Sequence, residues 1–205
     1  MEIIQDLFNK TNYLNSSLFG NLYKVCHNNQ IYYYEFLINN NTATINYNNP
    51  EYLDLVVDEY RKTHEYITVY KTQDNTFYAN YEKVYSFKLP IKCIQISENI
   101  INENRIQELV DIIEPNDIHL PVIIHNDEYI LVGDHHLLYA LYEIGEKMVN
   151  VYMSTKLDYE KLEFIKSMVY VYKENNIMNI NNIELVDETS YQAYIKLLNE
   201  FNITK

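Results

Sequence analysis

The spacing of apolar and polar residues changes several times along the chain, and each change marks an element. Residues 2–8 predict a short helix, and 18–25, 31–37 and 42–47 predict strands. The turns between these strands are polar and Asn-rich (27–30 and 39–41), as a meander of antiparallel strands requires. Asn49-Pro50-Glu51 then reads as a helix start: Asn as cap, Pro at the first position, an acidic first turn. Over 51–62, Leu53, Val56, Val57 and Tyr60 keep helical spacing. A hairpin follows from 66–71 and 76–81 through the turn 72–75, and 84–87 and 91–96 extend the sheet. Pro90 between the last two strands marks an edge or a bend.

The second half alternates more regularly between the two periods. A helix over 104–114 aligns Ile106, Leu109, Val110 and Ile113. Strands at 121–124 and 129–132 flank the polar turn 125–128, and Gly133 ends the second strand. Asp134 is placed to cap a helix over 135–144, which Gly145 closes and whose inner face carries Leu138, Leu141 and Tyr142. A strand runs to Met153. Residues 158–172 form a further amphipathic helix with Leu162, Ile165, Val169 and Tyr172 inward. After a polar stretch at 173–182, Thr189 or Ser190 caps a last helix to about 201, with Tyr194, Leu197, Leu198 and Phe201 on one face. The expected fold is α+β, in three parts: a β-rich antiparallel extension (1–84), a core (85–155) and a helical extension (156–205).

The chemistry concentrates where the 129–132 strand turns into the helix. A strand feeding a Gly turn into a helix N-terminus offers backbone N–H groups to an anion. Here those groups belong to His135, His136 and Leu137, behind Gly133 and Asp134. Adjacent helical residues point about 100° apart, so the two imidazoles do not form a chelating pair, and no H-E-x-x-H occurs. Lys92 and Lys147 are candidate supplementary charges for an anion.

The run Val132-Gly133-Asp134-His135-His136-Leu137 resembles the nucleotide-binding motif of the ParB/sulfiredoxin superfamily. Its free-serine kinases carry V-D-G-H-H-R at this junction, sulfiredoxins G-G-C-H-R and ParB partition proteins G-E-R-R. The order of elements from about 85 to 155 follows the superfamily too. The resemblance implies a mixed sheet with helices and nucleotide phosphate at Gly133, Asp134, His135, His136 and Leu137. It implies Glu103 as a catalytic base ahead of the first helix (Glu98 is the alternative register), with His136 also catalytic. ATP or ADP with Mg²⁺ would serve as cofactor, Asp134 and Glu103 being the nearest carboxylates for the ion. Two departures stand out. The phosphate-gripping Arg of the family falls on Leu137, which cannot act as a bidentate ligand. The Asp-Gly order is reversed, so a carboxylate stands where phosphate would rest.

Charge narrows the readings further. With 29 acidic and 16 basic residues the net charge is −13, and such a surface repels a phosphate backbone, which disfavours nucleic acid. The two cysteines, Cys26 and Cys93, show no metal or disulfide spacing, as expected of a reduced, cytoplasmic protein. The 91–96 strand would bury Cys93 as an inert thiol. No apolar run reaches the roughly 20 residues that span a bilayer. The 22 tyrosines, beside 3 glycines and no tryptophan, fit a low-GC bacterial genome better than an aromatic binding surface. Three functions follow in order. The first is a nucleotide-dependent phosphotransferase acting on a small hydroxylated molecule. The second is a non-catalytic binding module whose acidic surface meets a protein partner. A ParB-type DNA-binding protein comes last, because only about 50 residues remain after the core.

Overall fold

Asparagine turns set the register of the first sheet. The computed structural model describes residues 1–6, 21–116 and 118–200. Its contacts divide the chain into two units, Met1–Val84 and Tyr85–Lys205. In the first, β1 (Glu2–Asp6), β2 (Leu22–His27), β3 (Gln30–Asn39) and β4 (Thr42–Tyr47) pair antiparallel in sequence order. Asn28, Asn29 and Asn40 turn the chain at φ of 50°, 60° and 55°, in the left-handed region that Asn tolerates better than most residues.

Helix α1 (Leu53–Tyr60) then carries the chain back, so that β5 (Val69–Thr72) lies parallel to β4 and β6 (Phe77–Asn80) closes the sheet. A parallel neighbour needs a crossover, and α1 supplies it. The sheet is therefore mixed, not purely antiparallel as the sequence suggested.

Two further expectations change here. Residues 2–6 form β1 rather than a helix, because pairing from Glu2↔Cys26 to Asp6↔Leu22 satisfies the edge of β2. That gain outweighs the weak preference of so short a segment. Residues 7 and 8, and the first part of the 18–25 strand, lie outside the described residues. Helix α1 begins at Leu53, and Asn49 accepts the Glu51 N–H at 2.8 Å in a turn ahead of it instead of capping it.

The core of this unit is aromatic. Tyr34, Phe36, Tyr60 and Tyr70 are fully buried. The Tyr60 ring stacks on Phe36 at 3.8 Å and on His64 at 4.1 Å, while Tyr23 meets both Phe36 and Tyr60 edge-on.

The second unit opens with β7 (Ser86–Pro90), a 3₁₀ turn at Ile91–Cys93 and the two-residue strand β8 (Ile94–Gln95). The expected 91–96 strand is thus broken, and Cys93 is exposed on the turn instead of buried. Next come β9 (Ile100–Asn102), α2 (Glu103–Val110), β10 (His119–His125), β11 (Glu128–Leu131), α3 (His135–Glu143) and β12 (Met148–Met153). The chain continues through α4 (Tyr159–Glu174), β13 (Glu184–Val186) and α5 (Glu188–Glu200).

The sheet order is β7-β12-β10-β11-β8, with β12/β10 and β11/β8 parallel and the other pairs antiparallel. Its core is aliphatic: Ile94, Leu120, Val122, Leu131, Leu138 and Val151 are fully buried together. Burying one such side chain stabilises by about 1.5–3 kcal/mol. Ile165 and Val169 of α4 pack on Ile123, Ile130 and Val132.

The polar 173–182 stretch is structured. It holds a 3₁₀ turn at Ile180–Asn182 and leads into β13, which pairs parallel with β9. Residues 156–205 therefore belong to the same unit as 85–155. Asp187, not Thr189 or Ser190, receives the free N–H at the start of α5, that of Ser190 at 2.8 Å. Phe201 lies outside the described residues. No helix among the described residues is long and apolar enough to cross a membrane.

Candidate functional site

The turn between β11 and α3 is built differently from the Gly turn the sequence implied. Asp134, at φ 60° and ψ 35°, takes the left-handed conformation. Gly133 does not need its freedom, since a Cβ there would meet Pro121 Cγ at an ordinary 3.7 Å. Nor does the Asp134 side chain cap the helix. Asp and Asn bear left-handed geometry better than other side chains, and this, rather than capping, accounts for Asp134. Asp134 is an exposed residue as a whole, yet desolvation of its carboxyl by the surrounding protein raises the pKa, while Arg105, His135 and Lys161 pull the value back down.

The two imidazoles point inward, His135 being 3% and His136 6% exposed. The Ser97 backbone N–H donates to His135 Nε2 at 3.2 Å, and the Asn102 N–H donates to His136 Nε2 at 3.0 Å. A backbone amide can only donate, so both Nε2 atoms carry lone pairs and both ring protons sit on Nδ1. His135 Nδ1 faces Glu98 Oε2 at 3.3 Å. Burial, then the charges of Arg105 and His135, lower the His136 pKa to about 3. Tyr191 of α5 covers that ring edge-on, centroids 5.4 Å apart. These imidazoles pin residues 97–102 to the first turn of α3.

Ser97, His135 and Glu98 stand in the order of a nucleophilic triad, with Ser97 Oγ 3.4 Å from His135 Nε2. The protons are wrongly disposed for that chemistry. Ser97 Oγ donates to the Leu131 carbonyl at 2.6 Å, and the Nε2 lone pair already receives the Ser97 amide. A general base needs that lone pair free.

A cavity of about 200 Å³ opens at this end of α3. Gly133, Ser97, Glu98 and His135 line one part of it, while α4 contributes Lys161, Phe164 and Met168 and α5 contributes Tyr194 and Leu198. Asp158 fixes α4 by accepting the Lys161 N–H at 2.7 Å, which orients the turn that carries the Lys161 side chain. Burial, with the Glu98 charge next, raises the Tyr191 pKa to about 12 and that of Tyr194 further. Both phenols are therefore neutral hydrogen-bonding groups at pH 7.

The residues singled out in sequence divide between inside and outside. Gly133 and His135 line the cavity, and Glu98, the alternative register, lines it as well. Glu103 begins α2 as an exposed residue and does not contribute to the wall. His136 lies beneath Tyr191, and Leu137 packs against the aliphatic core. Lys92 and Lys147 line a different cavity, at the other end of α3. Lys161 escaped notice because it lies on an element after the resembling stretch, and Tyr194, read from its helical phase as a packing residue, proves to line the cavity. Only its position one turn before the inward-facing Ile165 could have marked Lys161.

Among the described residues no cluster of three His, Cys, Asp or Glu is placed to hold a metal ion. No family model matches the chain, and no curated protein matches it. The solved structure of protein Atu1540 from Agrobacterium tumefaciens is similar at 15% identity and a TM-score of 0.36. That match covers 49% of this chain and 62% of the other.

Proposed function

We propose that the second unit is a ParB/sulfiredoxin-like binding module that takes a small phosphorylated or hydroxylated ligand in the cavity at the tip of α3. The single observation that carries this reading is the cavity itself, which joins the first turn of α3 to the ammonium of Lys161. At about 200 Å³ it is smaller than the roughly 300 Å³ at which pockets for drug-sized ligands begin. It suits the phosphate end of a nucleotide or a molecule the size of an amino acid.

A nucleotide would be held by its phosphate end. The N–H groups of α3 and Lys161 would hold phosphate oxygens. Glu98 and Asp134 would oppose them unless a divalent cation stood between, and Mg²⁺ is commonly held by one or two carboxylates plus phosphates. Bound in that manner, a nucleoside triphosphate with Mg²⁺ would supply a transferable phosphoryl group. Glu98, whose Oε2 lies 3.3 Å from His135 Nδ1, would be the carboxylate available to take a proton from a substrate hydroxyl.

The two committed imidazoles favour a second reading: a module that keeps the fold without transfer chemistry and meets a basic protein partner through its acidic surface. Calorimetric titration with ATP, ADP and CTP, each with Mg²⁺, separates the two. Under the first reading at least one nucleotide releases heat, and Lys161→Ala weakens it about tenfold, as loss of a charged hydrogen bond does. Absence of heat from all three at millimolar concentration removes the nucleotide ligand and leaves the second reading.

A further inference from the structure

The opposite end of α3 opens onto a larger cavity, of about 450 Å³. Its walls are held by several fixed points. Gly145 ends the helix at φ 89°, the Ile91 N–H donates to the Lys147 carbonyl at 3.0 Å, and the Tyr142 hydroxyl donates to Asn181 Oδ1 at 3.1 Å. Pro90, Ile91, Tyr142 and Met148 give an apolar lining, and Lys92, Lys147 and Glu146 supply its charge. In a chain of net charge −13, two cations against one carboxylate reverse the local sign. Neither lysine forms an ion pair within the described residues. A cation past a helix C-terminus favours the helix dipole, which would explain Lys147 but neither Lys92 nor the apolar lining.

We infer that this cavity binds a small organic acid with a flat apolar body, its anionic group held between the ammoniums of Lys92 and Lys147. The volume falls in the range of about 300–1,000 Å³ typical of small-molecule sites, which are mainly apolar with a few charged groups. Met148 and Tyr142 suit such a body, since a thioether and an aromatic ring adapt to ring faces and edges. The site is independent of the ligand proposed at the other end of the helix.

The chain has three glycines, Gly20, Gly133 and Gly145, and two of them report on opposite ends of α3. Protein labelled with ¹⁵N-glycine therefore gives three signals, assigned with Gly133→Ala and Gly145→Asn. The probes are 8-anilinonaphthalene-1-sulfonate, apolar with one anionic group, and the uncharged N-phenyl-1-naphthylamine. The sulfonate is expected to bind saturably, move the Gly145 signal and leave Gly133 in place. In the K92A/K147A variant its affinity drops about fivefold, as removal of two solvent-exposed charge pairs would give, while that of the uncharged probe changes less than twofold. An unmoved Gly145 signal at saturation overturns the assignment, as does a shift of Gly133 instead. Equal sulfonate affinity in the double variant overturns it too. Failure of nucleotides to bind in calorimetry leaves all these outcomes readable.

Discussion

The two units fill their interiors with different materials. Residues 1–84 pack rings: Tyr23, Tyr34, Phe36, Tyr60 and Tyr70 form the centre. Residues 85–205 pack branched aliphatic chains around Leu138 and Val151. Rings are stiff and carry hydroxyls that need partners. Tyr60 therefore donates to the buried Asn21 at 3.3 Å, and the Tyr34 hydroxyl accepts the Tyr52 N–H at 3.1 Å. In the aliphatic unit four of the five buried polar residues gather at one junction, Ser97, Asn102, His135 and His136, beside a cavity, while Gln95 bonds to the Ile96 and Ile177 carbonyls. One unit spreads its polar groups through the core, where the Tyr70 hydroxyl finds no hydrogen-bond partner among the described residues, and the other collects most of them at the tip of α3.

The sharpest way to break this contrast is Tyr60→Ala. It removes a fully buried ring stacked on two others, and such truncations cost about 3–5 kcal/mol. Hydrogen exchange is expected to show lost protection in β2–β4 with β10–β12 retained. Protection lost equally in both would mean that the two cores stand or fall together.

Acid tests what the units share, an imidazole packed into each, His64 half-buried and His136 buried. An unfolded imidazole takes its proton near pH 6.5. Within the fold, burial lowers His64 to about 4, and burial with the Arg105 charge lowers His136 to about 3. Between those values and 6.5 the unfolded chain binds more protons, so stability is full above pH 6.5 and falls on acidification. The His64 contribution ends near pH 4 and that of His136 near 3. From pH 7 to 4.5 the loss from His136 is about 2 kcal/mol, read as a falling urea midpoint. A midpoint that does not move over that range would mean that the fold does not hold these imidazoles neutral. The smallest effect is expected from Asp158→Ala, which removes the cap of α4. It costs about 1 kcal/mol and loosens the wall that carries Lys161, so a thermal shift with unchanged cavity ligand affinity would separate cap from cavity.

Local pattern was enough for the strand at 42–47, for the Asn turns of the first unit and for the helix that Asp158 caps, since each depends on neighbours in sequence. The pairing of β1 with β2 and of β13 with β9 was not legible, because a three- to five-residue strand is decided by its distant partner. The junction before α3 was found as a place but misread as a mechanism. Spacing showed a turn into a helix, yet nothing in it disclosed that Ser97 and Asn102 would direct their amides at the two rings. Tyrosine abundance said nothing of position: in residues 1–84, Tyr23, Tyr34, Tyr60 and Tyr70 lie in the core.

The parallel pair β9/β13 joins Ile100–Asn102 to Glu184–Val186, and α5, which follows at once, contributes Tyr194 to the cavity wall. On the ribosome, the sheet β7-β12-β10-β11-β8 can assemble once β12 has emerged. The ribbon and the last wall must wait until nearly all of the described chain has been synthesised. Contacts so distant in sequence form late and slowly. A nascent chain thus acquires its scaffold first and the cavity at the tip of α3 last, and a stall or truncation before residue 184 would release the sheet with that cavity unfinished.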